Sequence, residues 1–177
     1  INSEKLRSLE IKIQILCGMI ASCKSTYCKN AALNKIVCIN DDSIVNMLHA
    51  DQYVLYDPSL KILYKSIENH IISTALSMNK VVLIDRALNL SKKSRQRWIA
   101  LANSFDVKIE LIKTKIELPE IHAERRMKSD PRGHDFEYWK RVAEEHFQNY
   151  VAPSLEEGFS EIHEISFDEI KSGKVFL

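Results

Sequence analysis

Apolar residues along this chain gather in two ways, as short unbroken runs and as stripes at helical spacing, and the two kinds alternate. The stretches 11–17, 35–40, 80–85, 107–113 and 162–167 read as strands. The run Val81-Val82-Leu83-Ile84 has the continuous β-branched and Leu content of a strand buried on both faces. Between them lie helical patterns at 24–33, 43–49, 91–105, 119–128 and 135–150. A further helix starts at Asp57-Pro58, with Pro58 at its first position and Leu60, Leu63, Ile67, Ile71 and Leu76 on one stripe. Ser91 reads as an N-cap. Strands alternating with helices predict βαβ units, hence an α/β fold with a parallel sheet of about five strands and helices on both faces.

The length, 177 residues, suits one domain spanning 11–177 behind a short charged leader at 1–10. The chain opens on Ile1 rather than Met, as a piece of something larger would. Lys plus Arg number 25 against 24 acids, so gross charge argues neither for nor against nucleic acid. The basic clusters at 92–97 and 125–128 read as solvated helix faces. Cysteines at 17, 23, 28 and 38 form no C-x-x-C pair, and no His stands at ligand spacing, which argues against a zinc site. His122, His134, His146 and His163 read as structural or exposed, and Trp98 and Trp139 as core. No signal peptide is visible, and no apolar run nears the ~18 residues of a membrane span. The expectation is a reduced, cytoplasmic protein with free thiols and no membrane partner.

Candidate chemistry sits at the ends of the predicted strands. Residues 18–26 read Gly-Met-Ile-Ala-Ser-Cys-Lys-Ser-Thr, between a strand and a helix. This is the G-x-x-x-x-G-K-[ST] pattern with Cys23 in place of the second Gly, and it predicts a three-layer P-loop NTPase fold. In such a loop the segment Gly18, Ala21, Ser22, Cys23, Lys24, Ser25 and Thr26 curls around the phosphates of ATP. Lys24 supplies a point charge and the Ser25 hydroxyl reaches Mg²⁺. The Gly before the Lys commonly takes a positive φ, so Cys23 is expected to cost roughly 1–2 kcal/mol of backbone strain.

After the second strand, Asn40-Asp41-Asp42 places two acids where open parallel sheets bind ligands. A carboxylate there can accept the proton of an attacking hydroxyl. Either acid can instead cap the helix opening at Ser43; the reading adopted gives Asp41 the cap and Asp42 the chemistry. Asp85, ending the third strand, is placed to manage Mg²⁺. Arg125, Arg126 and Arg132 offer guanidinium groups for phosphoryl charge. Arg132 falls in the Pro-Gly loop of a lid over about 125–136.

In order and interval these residues resemble the kinase domain of polynucleotide 5′-hydroxyl kinases, over about residues 11–167. The loop motif is common to very many nucleotide-binding proteins. More specific is Ala152-Pro153-Ser154-Leu155-Glu156-Glu157-Gly158-Phe159-Ser160, which looks like the run before the last strand in the metazoan kinase/phosphatase members. The resemblance implies ATP and Mg²⁺ as cofactors and a nucleic acid 5′ end as acceptor. In that family an Asn-Arg-Asp triplet carries the general base. Asn40 matches its Asn, Asp41 stands where the Arg is, and Asp42 falls on the base. Phage members hold the acceptor phosphate with an Arg three residues later, where this chain has Val45. The family's Asp-x-Thr-Asn becomes Asp85-Arg86-Ala87-Leu88-Asn89, keeping the Asp and losing the Thr. Arg126 matches an Arg of the lid helix. Arg132 matches the lid Arg that faces the transferring phosphate, with two residues inserted here. The expectation is ATP-dependent phosphoryl transfer to a polynucleotide 5′-hydroxyl with Asp42 as base. A small-molecule or nucleotide-sugar kinase, or a pseudokinase weakened by Cys23, stands as the alternative.

Overall fold

The computed structural model describes residues 10–86, 88–129 and 133–177. Five strands, β1 (Lys12–Cys17), β2 (Val37–Ile39), β3 (Val82–Ile84), β4 (Lys108–Thr114) and β5 (Glu161–Ile165), form one parallel sheet in the order β2-β3-β1-β4-β5. They alternate with α1 (Lys24–Leu33), α2 (Asp41–Leu48), α3 (Lys61–Ser77), α4 (Lys92–Ser104), α5 (Pro119–Ser129), α6 (Phe136–Gln148) and α7 (Phe167–Lys171). This is the parallel α/β sheet, helices on both sides, that the sequence pattern predicts.

Every residue of β1 is buried, and its side chains divide by the strand's two-residue period. Ile13, Ile15 and Cys17 join Val82, Ile84, Ile109 and Leu111 in a core closed by α3 and α4. Leu16, Leu83 and Ile112 face the other way, against Tyr27 and Ala31 of α1 and Ile170 of α7. Trp98 and Trp139 are both buried.

Several boundaries differ from the sequence reading. β2 is confined to Val37–Ile39, after Lys35 turns through a left-handed conformation with φ 63°. Pro58 opens a short 3-10 turn, Pro58–Leu60, and α3 starts only at Lys61. β5 ends at Ile165 rather than at 167, and beyond it Phe167 opens α7, which the sequence pattern does not predict; Ser166 caps it by accepting from Glu169 N. The leader 1–9 lies outside the described residues.

The basic run at 92–97 is not wholly a solvated face. Ser91 caps α4 as expected, but Arg95 is fully buried. Its Nε and Nη2 donate to the two oxygens of Glu157 at 2.9 and 2.7 Å, a bidentate pair. Its Nη1 donates to the carbonyls of Asn89, Leu90 and Val151 at 3.1, 3.0 and 3.0 Å. Glu157 Oε1 also accepts from Ser154 N at 3.1 Å, and Arg95 holds the Glu157 carboxyl below its usual range. The specific-looking tail motif is therefore architectural: Glu157 neutralises Arg95, Gly158 turns at φ 116°, and Phe159 is buried. Arg95→Ala should cost about 3–5 kcal/mol, since it leaves Glu157 buried and uncompensated. Urea unfolding measures this, and a loss below about 1 kcal/mol, the level of a surface pair, would contradict the architectural role.

Candidate active site

The strands all point their carboxyl ends the same way. The onward connections of β1 and β3 leave to opposite sides, the arrangement that opens a crevice in such sheets. A cavity of about 950 Å³ lies there. The loop 20–26 lines it, together with Asn40, Asp41 and Asp42 after β2, and Asp85 and Leu88 after β3. Arg125, Arg126, Lys128 and Ser129 of α5 and Phe167 and Lys171 of α7 close the other side.

The loop takes its form from a close approach and two left-handed residues. A Cβ at Gly18 would stand 1.9 Å from Thr114 Oγ1 and 2.7 Å from Ser22 Oγ, so only Gly fits. Ala21 and Cys23 have φ of 49° and 63°, the region that favours glycine. The positive φ expected at residue 23 is present, and Ala21 adds a second strained position. Lys24 Nζ donates to Gly18 O at 3.0 Å and Met19 O at 2.7 Å, folding back over its own loop. Burial lowers its pKa, with Asp85 pulling the other way. No side chain caps α1 and no acid stands in its first turn, so its first N–H groups face the cavity side unscreened.

The acids divide by what holds them. Asn40, not Asp41, caps α2: its side-chain oxygen accepts from Ser43 N at 3.2 Å, and the helix starts two residues before the expected Ser43. Asp41 instead receives Arg86 Nε at 3.0 Å, and Arg86 also pairs with buried Glu68. Asp42 is open to the cleft. Partial burial, with the neighbouring Asp41 charge, raises its pKa, against a hydrogen bond from Tyr53. Asp85 is buried, which raises its pKa; Lys24 and hydrogen bonds from Cys28 and Asn40 oppose the shift. Asn40 Nδ2 donates to Asp85 O at 2.9 Å, tying the β2 and β3 ends together.

The two adjacent arginines differ in the same way. Arg125 forks onto Glu117 and lies 4.1 Å over the Phe167 ring. Arg126 lies 5.0 Å over Trp139, and its Nε is buried with no partner among the described residues. Arg132 lies outside the described residues. Sequence reasoning missed Tyr53 beside Asp42 and the Arg86–Asp41–Glu68 network, and its reading of His122 as structural or exposed gave no hint of what that residue holds. His122, fully buried, has Nδ1 donating to Ile20 O at 2.8 Å while Nε2 accepts from Glu117 N at 3.3 Å, so it braces the loop from α5. Nothing in the spacing of these residues marks them, because the contacts of Arg86 with Asp41 and Glu68 and of His122 with Ile20 join distant parts of the chain.

The residues fit a polyanion with a hard metal ion. Lys24, Arg125, Arg126, Lys128 and Lys171 border the cavity, and the orphaned Arg126 Nε calls for an acceptor. Ser25 and Asp85, an alcohol and a carboxylate, are the oxygen donors that Mg²⁺ prefers.

A parallel sheet in this order, a phosphate-type loop after its central strand and acids after the next two define a P-loop fold of the kinase kind. Residues 13–153 match the AAA domain family, a P-loop kinase family, and the chain belongs to it. No curated protein matches the chain in sequence. Among solved structures it is similar to a gluconokinase from Sinorhizobium meliloti, at TM-score 0.55 and 16% identity over 93% of this chain and 89% of that one. A shikimate kinase from Bacteroides thetaiotaomicron gives TM-score 0.55 and 12% identity, covering 92% and 93%. A fungal RNA kinase gives TM-score 0.56 and 14% identity, covering 88% of this chain and 38% of that one. At such identities the likeness is one of fold. No described helix is long and apolar enough to cross a membrane.

The strain at residue 23 is measurable without any ligand. Cys23→Ala removes the thiol and keeps the left-handed cost, whereas Cys23→Gly removes both. The Gly variant should therefore be the more stable of the two by about 1 kcal/mol in urea unfolding. The reverse order would mean that the loop does not hold residue 23 at positive φ.

Proposed function

We propose that this chain is an ATP-dependent kinase that phosphorylates a hydroxyl, most specifically the 5′-hydroxyl of a polynucleotide, with residues 11–177 forming one kinase domain and 125–136 its lid. The observation that carries the reading is Asp42 standing open on the same cavity as Lys24, which Arg126 with its orphaned Nε also lines. Mg²⁺-ATP, when bound, supplies the phosphoryl group. The N–H groups of residues 21–26 and the Lys24 ammonium hold its oxygens, and Ser25 and Asp85 would hold the metal ion. Asp42 takes the proton of the acceptor hydroxyl. Arg126 neutralises charge on the phosphoryl oxygens from the α5 side, and Arg132 is assigned the same task from the lid.

A small-molecule or nucleotide-sugar acceptor is the second reading, and Val45 favours it. That residue occupies the position that would hold an acceptor phosphate, and it is packed into the core. Radiolabelled ATP offered with 5′-hydroxyl DNA and RNA, nucleosides and sugars separates the two. Calorimetric titration of Mg²⁺-ATP separates both from a pseudokinase: no heat at millimolar nucleotide would remove the catalytic reading. If binding is present, Cys23→Gly should tighten it roughly tenfold or more by relieving strain and opening the loop.

Asp42→Asn should lower kcat by at least ~10² with KM for ATP little changed. Asp41→Asn, which loosens only the Arg86 pair, should do less. The reverse ranking would move the base to Asp41.

The pH dependence has a definite sign. A base acts when deprotonated, so kcat/KM should fall as pH drops through a value above the ordinary aspartate range, following the raised pKa of Asp42. The same shift makes ionised Asp42 a cost to folding: a raised carboxyl pKa favours the folded state at low pH, and that advantage is lost as pH rises through the folded value. Asp42→Asn should accordingly be no less stable than the parent at neutral pH in thermal unfolding, while nearly inactive. A clear loss of stability would show that Asp42 is structural.

A further inference from the structure

Next to Asp42, beyond the residues that line the cavity, stands a ladder of tyrosines. Tyr64 of α3 is buried, and its hydroxyl sits 2.8 Å from His49 Nε2 and accepts from Asp57 N at 3.2 Å. Tyr56 stacks on Tyr64 with ring centroids 5.6 Å apart and planes 28° apart. Tyr53 stacks in turn on Tyr56, at 6.2 Å and 14°. The innermost ring is thus fixed by hydrogen bonds, and each outer ring is held nearly parallel to the one behind it.

Tyr53, the outermost ring, is 48% exposed, and its hydroxyl lies near enough to the Asp42 carboxylate for the two to shift each other's ionisation. Val54 and Leu55 beside it are also exposed, so this surface next to Asp42 is apolar, whereas the cavity itself is bordered by Lys24, Arg126 and Lys128. An aromatic surface held in place next to the proton acceptor selects what can lie beside the reacting hydroxyl. A polyol or a small carboxylic acid has no π face to set against it. A nucleobase does, and stacking of bases on aromatic side chains tolerates any sequence.

We infer that Tyr53, supported by Tyr56 and Tyr64, is a stacking platform for the first base of a 5′-hydroxyl nucleic acid strand, and that it positions the terminal hydroxyl at Asp42. The inference rests on the reading of Asp42 as the base. It names the part of the acceptor that is recognised, a planar base rather than a phosphate, in keeping with the buried Val45. Tyr53 is a specificity residue in this account, acting on the acceptor and not on ATP.

The test compares two probes, a short 5′-hydroxyl DNA oligonucleotide and the same strand with an abasic residue at its 5′ end. Binding of each is measured by fluorescence anisotropy to the parent chain, Tyr53→Phe and Tyr53→Ala. The parent should prefer the base-bearing end by about tenfold or more. Tyr53→Phe should keep that preference, Tyr53→Ala should lose it, and both should bind Mg²⁺-ATP as the parent does. Equal binding of the two probes by the parent, or a preference that survives Tyr53→Ala, overturns the platform while leaving a polynucleotide acceptor in place. A parent that binds neither probe overturns both. Self-association abolished by Tyr53→Ala, with neither probe bound, would assign the ladder to a protein interface instead.

Discussion

The close packing of β4 against the end of β1 sets the geometry on which the cleft depends. Thr114 Oγ1 occupies the space where a side chain at residue 18 would go, and it donates to Cys17 O at 3.3 Å. The chain must leave the sheet through a bare backbone there. It then has to return to α1 within a few residues, which it does with left-handed steps at Ala21 and Cys23. Those steps bring the Gly18 and Met19 carbonyls round to the Lys24 ammonium. The lysine, the helix start and the strand ends share one cavity because this turn is so tight.

Unfavourable terms collect around that cavity. Two non-glycine residues sit at positive φ, the Lys24 ammonium loses solvation, and the Asp42 and Asp85 carboxyls are pushed toward their neutral forms. A left-handed residue costs roughly 1–2 kcal/mol, a large share of a domain's net stability of about 5–15 kcal/mol. The offset lies on the far side of the sheet's end. Asn89, itself left-handed, donates to Leu16 O at 2.7 Å and accepts from Trp98 Nε1 at 3.1 Å. Arg95 then joins the Asn89 carbonyl to the Glu157 carboxylate. This satisfied, dry network holds the segment after β3 in place, so Asp85 faces the cavity although its ionised form is disfavoured there.

What could be read from the sequence follows from the range of the forces involved. The strand runs, the alternation with helices, the bare Gly18 and the Lys24-Ser25 helix start are local, and all were legible. The acids of 41–42 were legible as a pair but not as individuals. Asn40 and Asp41 are both good caps by type, and only the distant Arg86, across the gap from β3, decides which is free to serve elsewhere. Arg95 was hidden in a basic run because its partner lies 62 positions away. Tyr53 was hidden because an isolated tyrosine in a short 3-10 turn has no periodicity to reveal its neighbours.

The paired arginines of α5 show how rigid elements, rather than a free loop, can present charge to the cavity. Arg125 is held by Glu117 and by the face of Phe167, and His122 from the same helix holds the carbonyl of Ile20 in the loop. The first two turns of α5 are therefore fastened to the phosphate-type loop and to α7. Arg126 follows directly on this fixed stretch, with Trp139 beneath its guanidinium. Its place relative to Lys24 is then set by the loop itself. A displacement of α5 that moved Arg126 away would have to break the His122 bond and expose a fully buried imidazole whose pKa burial has already lowered. Such a displacement costs a hydrogen bond and buried contacts with no compensating partner among the described residues, so the loop and Arg126 act as one preorganised unit.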